Sequence, residues 1–549
     1  MTVRAAWARV GRWSSLLWLG LAAYWLYVWR RPIWGYDDLH FATRSDTPFG
    51  RIDWSQLPHW VVADVARRNG RTADIVMQLL MSVSPLVGPA MALFGVGLSW
   101  AIWRVLMLTV SAAPEGQLRR VLELTALLAA IAVPFTVLAV DPTLNGTVVM
   151  FMSANVGYVL GAVLALVAVR LLWGLRERGS GWWRWPAAVV LACFAGLHHE
   201  LLATAMAGCC VGLALVTRRR QWRVSWVLAL VVVLGFSLAR FSAGGLWARS
   251  RRLGTPFPVP GGVFSTAEKT RAYIAYSLTQ NLAHQPLVFA ALVLAVAALA
   301  AAGIRAGRHP RLLTAALATL LLGSATIAVA TSRLATQWQA GAWLSTDDSG
   351  YHRAGQRGLP TVELLTTPTG TLVLVCAAVL LVALGVVCLL VRDTGPTRPL
   401  LPMLGVALGP TVMAVVMGTP GGRTMYLGLL LTLVAATQIA LAAVTLTPHP
   451  VTSPVSIVAA LVVAVAVGPA AQAAPALVAA VDRNIAVWQG VERQLTDLQA
   501  GRADELVFPR ALPEPLYSGD FPGDRPFGLR RILQFYGLPE STPVVFVPK

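Results

Sequence analysis

Residues 13–29 read WSSLLWLGLAAYWLYVW, and residues 30–40 continue RRPIWGYDDLH. An apolar run behind Arg4, Arg9 and Arg12 has the layout of a secretory signal, but no small-residue cleavage motif follows it. It closes instead on Tyr27, Trp29, Arg30 and Arg31, the aromatic and basic flank of a helix that stays in the bilayer, so it is expected to be an uncleaved first span. The rest of the chain agrees. Of 549 residues 56% are hydrophobic and only 13% charged, about half the usual charged share of a soluble chain. Twelve further runs of suitable length, from Leu86–Trp103 to Val455–Ala471, predict an all-α polytopic membrane protein of about 13 transmembrane helices.

The 44 basic residues outnumber the 25 acidic ones and give a formal charge of +19. A nucleic-acid partner is excluded by where they fall. Alternating the loops from a cytoplasmic N-terminus places Arg119 and Arg120, Arg176, Arg178 and Arg184, Arg218 to Arg220 and Arg223, Arg305, Arg308 and Arg311, then Arg392 and Arg398 on short inner connections. There they need only anionic lipid as partner. The outer side carries three long loops, at about 30–80, 241–286 and 331–370. Residues 1–471 thus form the membrane module and 472–549 an extracytoplasmic tail, with an amphipathic helix over Val481–Leu498, Trp488 at the membrane interface and a small cap beyond. The five cysteines (193, 209, 210, 376 and 388) all lie inside apolar runs, as structural thiols do.

Asp37 and Asp38 follow the first span directly. Adjacent carboxylates at a lipid interface repel each other and cost desolvation, which suits a base, a metal ligand or a cation site; a solvated loop or helix cap explains the same letters. His198-His199-Glu200 joins two short runs, Pro186–Leu197 and Leu201–Val216, that read as a broken helix pair. His199 and Glu200 are candidates to orient groups toward the acidic pair, or to form a satisfied structural knot. Their spacing is not a zinc motif, and although a divalent cation could sit with Asp37 and Asp38, no cofactor or metal is predicted. Asn155 and Tyr158 lie one helical turn apart in the fourth run, placed for a sugar hydroxyl or for a neighbouring helix.

This ordered set resembles the GT-C superfamily of polyprenyl-phosphate-sugar-dependent glycosyltransferases: an acidic pair after one N-terminal span, many further spans, large outer loops and an outer C-terminal cap. Asn69-Gly70-Arg71, Ser153-Ala154-Asn155-Val156-Gly157-Tyr158, Gly421-Gly422-Arg423 and Phe535-Tyr536-Gly537-Leu538 are similar to the bacterial O-antigen-glucosyltransferase-like (Gtr-type) branch and its uncharacterised relatives. The resemblance implies a GT-C-like fold and an aspartate of the acidic pair as general base toward an acceptor hydroxyl. It implies a polyprenyl-phosphate sugar donor, an envelope glycan or glycolipid acceptor, and a place in the bacterial plasma membrane. Arginine suits the departing lipid phosphate through its fixed fork. Arg71 and Arg423 are the candidates within the motifs, and Arg251 and Arg252 in the second outer loop serve either the phosphate or a lipid headgroup. Asn69 and Asp348, the latter in Thr346-Asp347-Asp348-Ser349-Gly350, are candidates for carbohydrate contact, though a solvated turn accounts for Asp348 equally well. Two other classes remain open: a lipid-linked saccharide transporter or flippase, and a polyprenyl-diphosphate oligosaccharide ligase, for which Arg353 stands beside His352.

Overall fold

The computed structural model describes residues 3–43, 55, 58, 62, 71–175, 183–217, 220–242, 286–340, 368–392, 395–417, 422–447, 453–517, 521 and 526–547. Within them the chain is an α-helical bundle bearing a small cap. Eight helices are long and apolar enough to cross a membrane, and shorter apolar helices stand among them. The first run lies in α1 (Val3–Val28), followed by the short α2 (Tyr36–Thr43) and α3 (Thr72–Ser82). Next come α4 (Ser84–Val110) and α5 (Gln117–Val140).

The fourth apolar run departs from the continuous helix expected of it. Two wide π-helical segments, Asn145–Val149 and Asn155–Leu160, flank a break at Phe151, and regular winding resumes only in α6 (Gly161–Gly174). Bonding from i to i+5 widens each turn, so the one-turn spacing of Asn155 and Tyr158 no longer puts them on one face. Then follow α7 (Arg184–His198), α8 (Glu200–Val216), α9 (Arg220–Ser242), α10 (Pro286–Arg305), α11 (Pro310–Ala340) and α12 (Pro368–Val391). The bundle closes with α13 (Leu400–Met417), α14 (Gly422–Leu446) and α15 (Pro454–Val467). Helix α11 runs ten residues past the predicted end of its span at Ala330.

Among the described residues, α8 and α13 make the most extensive helix–helix contact, and glycines line it. Two G-x-x-x-G patterns meet here, offset along the helices: Gly208 lies against Gly405, Gly212 against Leu401-Pro402, and Gly409 against Thr204-Ala205. A Cβ on Gly212 would lie 2.6 Å from the Leu401 carbonyl oxygen, and one on Gly208, Gly405 or Gly409 would enter the partner's backbone. The Thr204 hydroxyl crosses this contact to the Gly409 carbonyl at 2.7 Å. Lipid tails give apolar helices little reason to associate, so close backbone approach and interhelical hydrogen bonds hold such pairs together. Elsewhere aromatic side chains fill the seams: Trp25 of α1 stacks on Phe135 of α5 at 5.3 Å, over the bare Cα of Gly95.

The two ends of the bundle differ. At one end the connections between helices touch each other: Arg392 reaches the Leu215 carbonyl, Arg305 donates to Ser453 Oγ at 2.6 Å, and Gly395 lies against Ala112. Arg305 and Arg392 of the short connections lie at this end. At the other end sits the cap. Its stem, α16 (Ala470–Gln499), continues from α15 through Gly468-Pro469, so the division expected at 471/472 falls inside a helix. Beyond it β1 (Leu506–Pro509), which packs on α16, pairs in parallel with β2 (Val544–Val547), and α17 (Pro526–Phe535) lies between the two strands in sequence. These two four-residue strands are the only strands among the described residues of an otherwise helical fold.

Trp488, expected at the membrane interface, is instead fully buried in the cap, near Phe521, with its indole N–H on Glu492 at 3.0 Å. An indole whose N–H has a carboxylate partner can be buried whole. The cap is fastened at three places. Arg30 and Arg31, just past α1, pair with Asp482 at 2.6 Å and Glu492 at 2.8 Å. Asn484 and Glu514 exchange hydrogen bonds at 2.9 Å each. Leu516 lies so close over Gly146 that a Cβ there would come within 2.7 Å of its carbonyl oxygen. The arginine pairs are half-exposed and contribute about 0–1 kcal/mol each, so the buried cap core and the Gly146 contact do most of the fastening.

Candidate functional site

At the cap end, α2 begins on Gly35 and carries Asp37 and Asp38 in its first turn, where a helix dipole favours carboxylates. Asp38 is fully buried. Its Oδ2 accepts from the Gly35 N–H at 3.1 Å, the reach-back half of a capping box, and its Oδ1 accepts from the Ser153 N–H at 2.8 Å. One carboxylate therefore closes α2 and fastens it to the break in the fourth run.

Helix α2 packs on α3, whose preceding residue is Arg71. The Arg71 guanidinium forks onto Glu200, the first residue of α8: Nε donates to Oε2 at 3.0 Å and Nη2 donates to Oε1. The pair joins positions 129 apart in sequence. Burial works against the guanidinium's charge, yet Glu200, Asp74 and Tyr158 outweigh it and raise the Arg71 pKa above the ordinary arginine range. The Glu200 side chain is 6% exposed and that of Arg71 23%, so Arg71 is the more exposed member of the pair. Glu200 thus orients Arg71.

The two histidines hold this junction. His198, the last residue of α7, accepts the Thr72 hydroxyl at Nδ1 (3.3 Å) and donates from Nε2 to the Val156 carbonyl (2.8 Å). His199 has extended backbone between the helices, and its Nδ1 accepts from Leu201 N–H as the N-cap of α8. Because Nδ1 is an acceptor there, its 3.8 Å approach to Glu200 Oε2 is proximity and not an ion pair. The Tyr158 ring lies 4.7 Å from the His199 ring, while Asn155 turns away and donates to the Val149 carbonyl at 2.8 Å, stitching the chain break. Asn155 is therefore a brace, and Tyr158 belongs to the junction.

Arg71, Glu200, His199 and Tyr158 are brought together, with Asp38 on the adjoining α2. The side chains of Asp37 and Arg423, and residues Asn69, Arg251, Arg252, His352, Arg353 and Asp348, lie outside what the structure describes. Sequence reading missed Asp74, buried one turn into α3 and acting on Arg71; its spacing from Arg71 was the available signal. Among the described residues no group of three or more His, Cys, Asp or Glu could hold a metal ion. Fold and sequence together define a polytopic α-helical membrane protein whose buried ionisable groups gather at the capped end. Compared with protein-family models, curated proteins and solved structures, the chain matches none.

Proposed function

We propose that the protein is a membrane glycosyltransferase that moves a sugar from a polyprenyl-phosphate donor to a cell-envelope glycan or glycolipid. In this reading about thirteen helices span the bacterial plasma membrane, the N-terminus and the arginine-bearing connections are cytoplasmic, and the capped end faces outward. The observation that carries it is the placement, on adjoining elements at one end of the bundle, of an acidic helix start and a partly exposed, carboxylate-oriented arginine. One supplies a base and the other a phosphate partner, the two charges such a transfer needs.

Asp37 is the base, since Asp38 is committed to two backbone N–H groups. Its carboxylate takes the proton of the acceptor hydroxyl as that oxygen bonds to the sugar C1. The C1–O bond to the donor phosphate breaks, and its electron pair leaves on the lipid phosphate, which Arg71 receives. Tyr158 and His199 wall the same junction and serve the sugar; Arg423, Arg251 and Arg252 are further phosphate partners, and Asn69 and Asp348 further carbohydrate contacts. A saccharide flippase would instead need polar sites opening toward both ends.

Purified protein supplied with radiolabelled polyprenyl-phosphate sugars and envelope acceptors should transfer label. Asp37→Asn should lower turnover roughly 10²–10⁴-fold with its melting temperature unchanged. Asp38→Asn should lower the melting temperature, because an amide cannot accept from both N–H groups, at a cost of about 1–3 kcal/mol. Full turnover in Asp37→Asn overturns the assignment of the base.

A further inference from the structure

The C-terminal Phe535-Tyr536-Gly537-Leu538 has no part in the transfer chemistry, yet the fold gives it a specific contact. Helix α17 lies along α2, the helix that presents the acidic pair. At the start of α2 the Phe535 ring sits 4.6 Å from that of Trp34, both side chains buried. Trp34 immediately precedes Gly35, whose N–H holds Asp38. At the far end Arg531, only 3% exposed, donates from Nη1 to Thr43 Oγ1 at 3.3 Å and to Gln534 Oε1 at 3.2 Å, while the Thr43 hydroxyl donates to the Leu39 carbonyl at 2.7 Å. Arg531 and Phe535 are one helical turn apart and so grip both ends of an eight-residue helix.

Each part of the motif serves that grip. Gly537, at φ +68°, ends α17 in a left-handed cap: Leu538 N–H returns to the Leu533 carbonyl at 2.8 Å and Gly537 N–H to that of Gln534 at 3.1 Å. This turn buries Leu538 and finishes the helix just past Phe535. A helix as short as α2 has little stability of its own in isolation and takes its direction from what it packs against. Burying a guanidinium in a small cap is costly, and the bond to Thr43 of α2 is one of the contacts that offset it.

We infer that α17 is a positioning element for the acidic turn, with Arg531 and Phe535 as positioning residues that fix where α2 carries that turn relative to Arg71. The catalytic consequence rests on the glycosyltransfer reading above; the mechanical claim does not. In the full-length protein, Phe535→Ala and Arg531→Met should speed amide hydrogen exchange in residues 36–43 and leave α8 and α13 unchanged. In the transfer assay the same variants should lower kcat on the order of 10–100-fold, the usual penalty for a displaced reacting group, without changing the donor KM that Arg71 sets. Phe535→Tyr and Arg531→Lys, which keep the ring and the charged donor, should recover most of the rate. If Phe535→Ala is not recovered folded, Arg531→Met, which keeps a long unbranched stem, carries the comparison. Unchanged exchange at 36–43, or faster exchange throughout the bundle, overturns the proposal. A wild-type protein that transfers no sugar overturns the enzymatic reading, while the exchange result still decides whether α17 holds α2.

Discussion

Glu200→Ala is expected to be among the most damaging single substitutions in the chain, lowering stability by about 3–5 kcal/mol. The loss is not that of an attractive contact alone. Removing the carboxylate leaves the Arg71 guanidinium mostly buried without the two oxygens that its fork occupies. Asp74 still acts on Arg71, which places the effect toward the lower end of that range. The double variant Arg71→Met/Glu200→Met separates stability from function, because replacing a whole buried pair by apolar groups of similar size is close to neutral. It should melt near the wild-type temperature in detergent, and it should no longer bind the polyprenyl-phosphate donor. A double variant as unstable as Glu200→Ala would mean that something other than the stranded charge sets the loss. A double variant that binds donor normally would remove Arg71 from the phosphate site.

The same pair shows what the sequence could and could not disclose. Apolar runs were legible because a chain in lipid must satisfy its backbone within each segment, so a run of suitable length has essentially one local solution. The predicted runs fall in helical structure, the fourth with a break at Phe151, and the break at His198-His199-Glu200 is where polar letters interrupt apolar ones. Which carboxylate meets which arginine was not legible. Arg71 and Glu200 are far apart in sequence, and nothing local to Glu200 distinguishes a partner on α3 from one on α2. Asp38 was legible as a special position, but its hydrogen bonds to the Gly35 and Ser153 N–H groups were not, since a base and a cap are the same residue type. The π-helical winding around Asn155 and Tyr158 was hidden because a 3.6-residue period was the default for an apolar run. The glycine patterns of α8 and α13 were in plain view, but each is one weak motif until the fold sets it against the other.

Those glycines carry the second large effect. In most helix interiors Gly→Ala stabilises by up to about 1 kcal/mol, through backbone entropy. Gly385→Ala and Gly20→Ala, where an added Cβ meets nothing within 4 Å, should follow that rule and hold or raise the melting temperature. Gly405→Ala should reverse the sign. Its Cβ would enter the Gly208 backbone, which cannot turn aside as a flexible side chain does. The helices must part, and overpacking of this kind costs about 1–3 kcal/mol or more, with the Thr204 bond to the Gly409 carbonyl stretched as well. Gly405→Leu should yield no monodisperse protein. The consequence reaches the site, since α8 begins at Glu200 and any outward movement of its axis draws that carboxylate from Arg71. Gly405→Ala protein that survives purification should therefore show weakened donor binding before any loss of turnover at saturating donor. A melting temperature for Gly405→Ala at or above wild type would show that the two helices do not depend on this close approach, and equal donor affinity would show that α8 does not transmit it to the Arg71 fork.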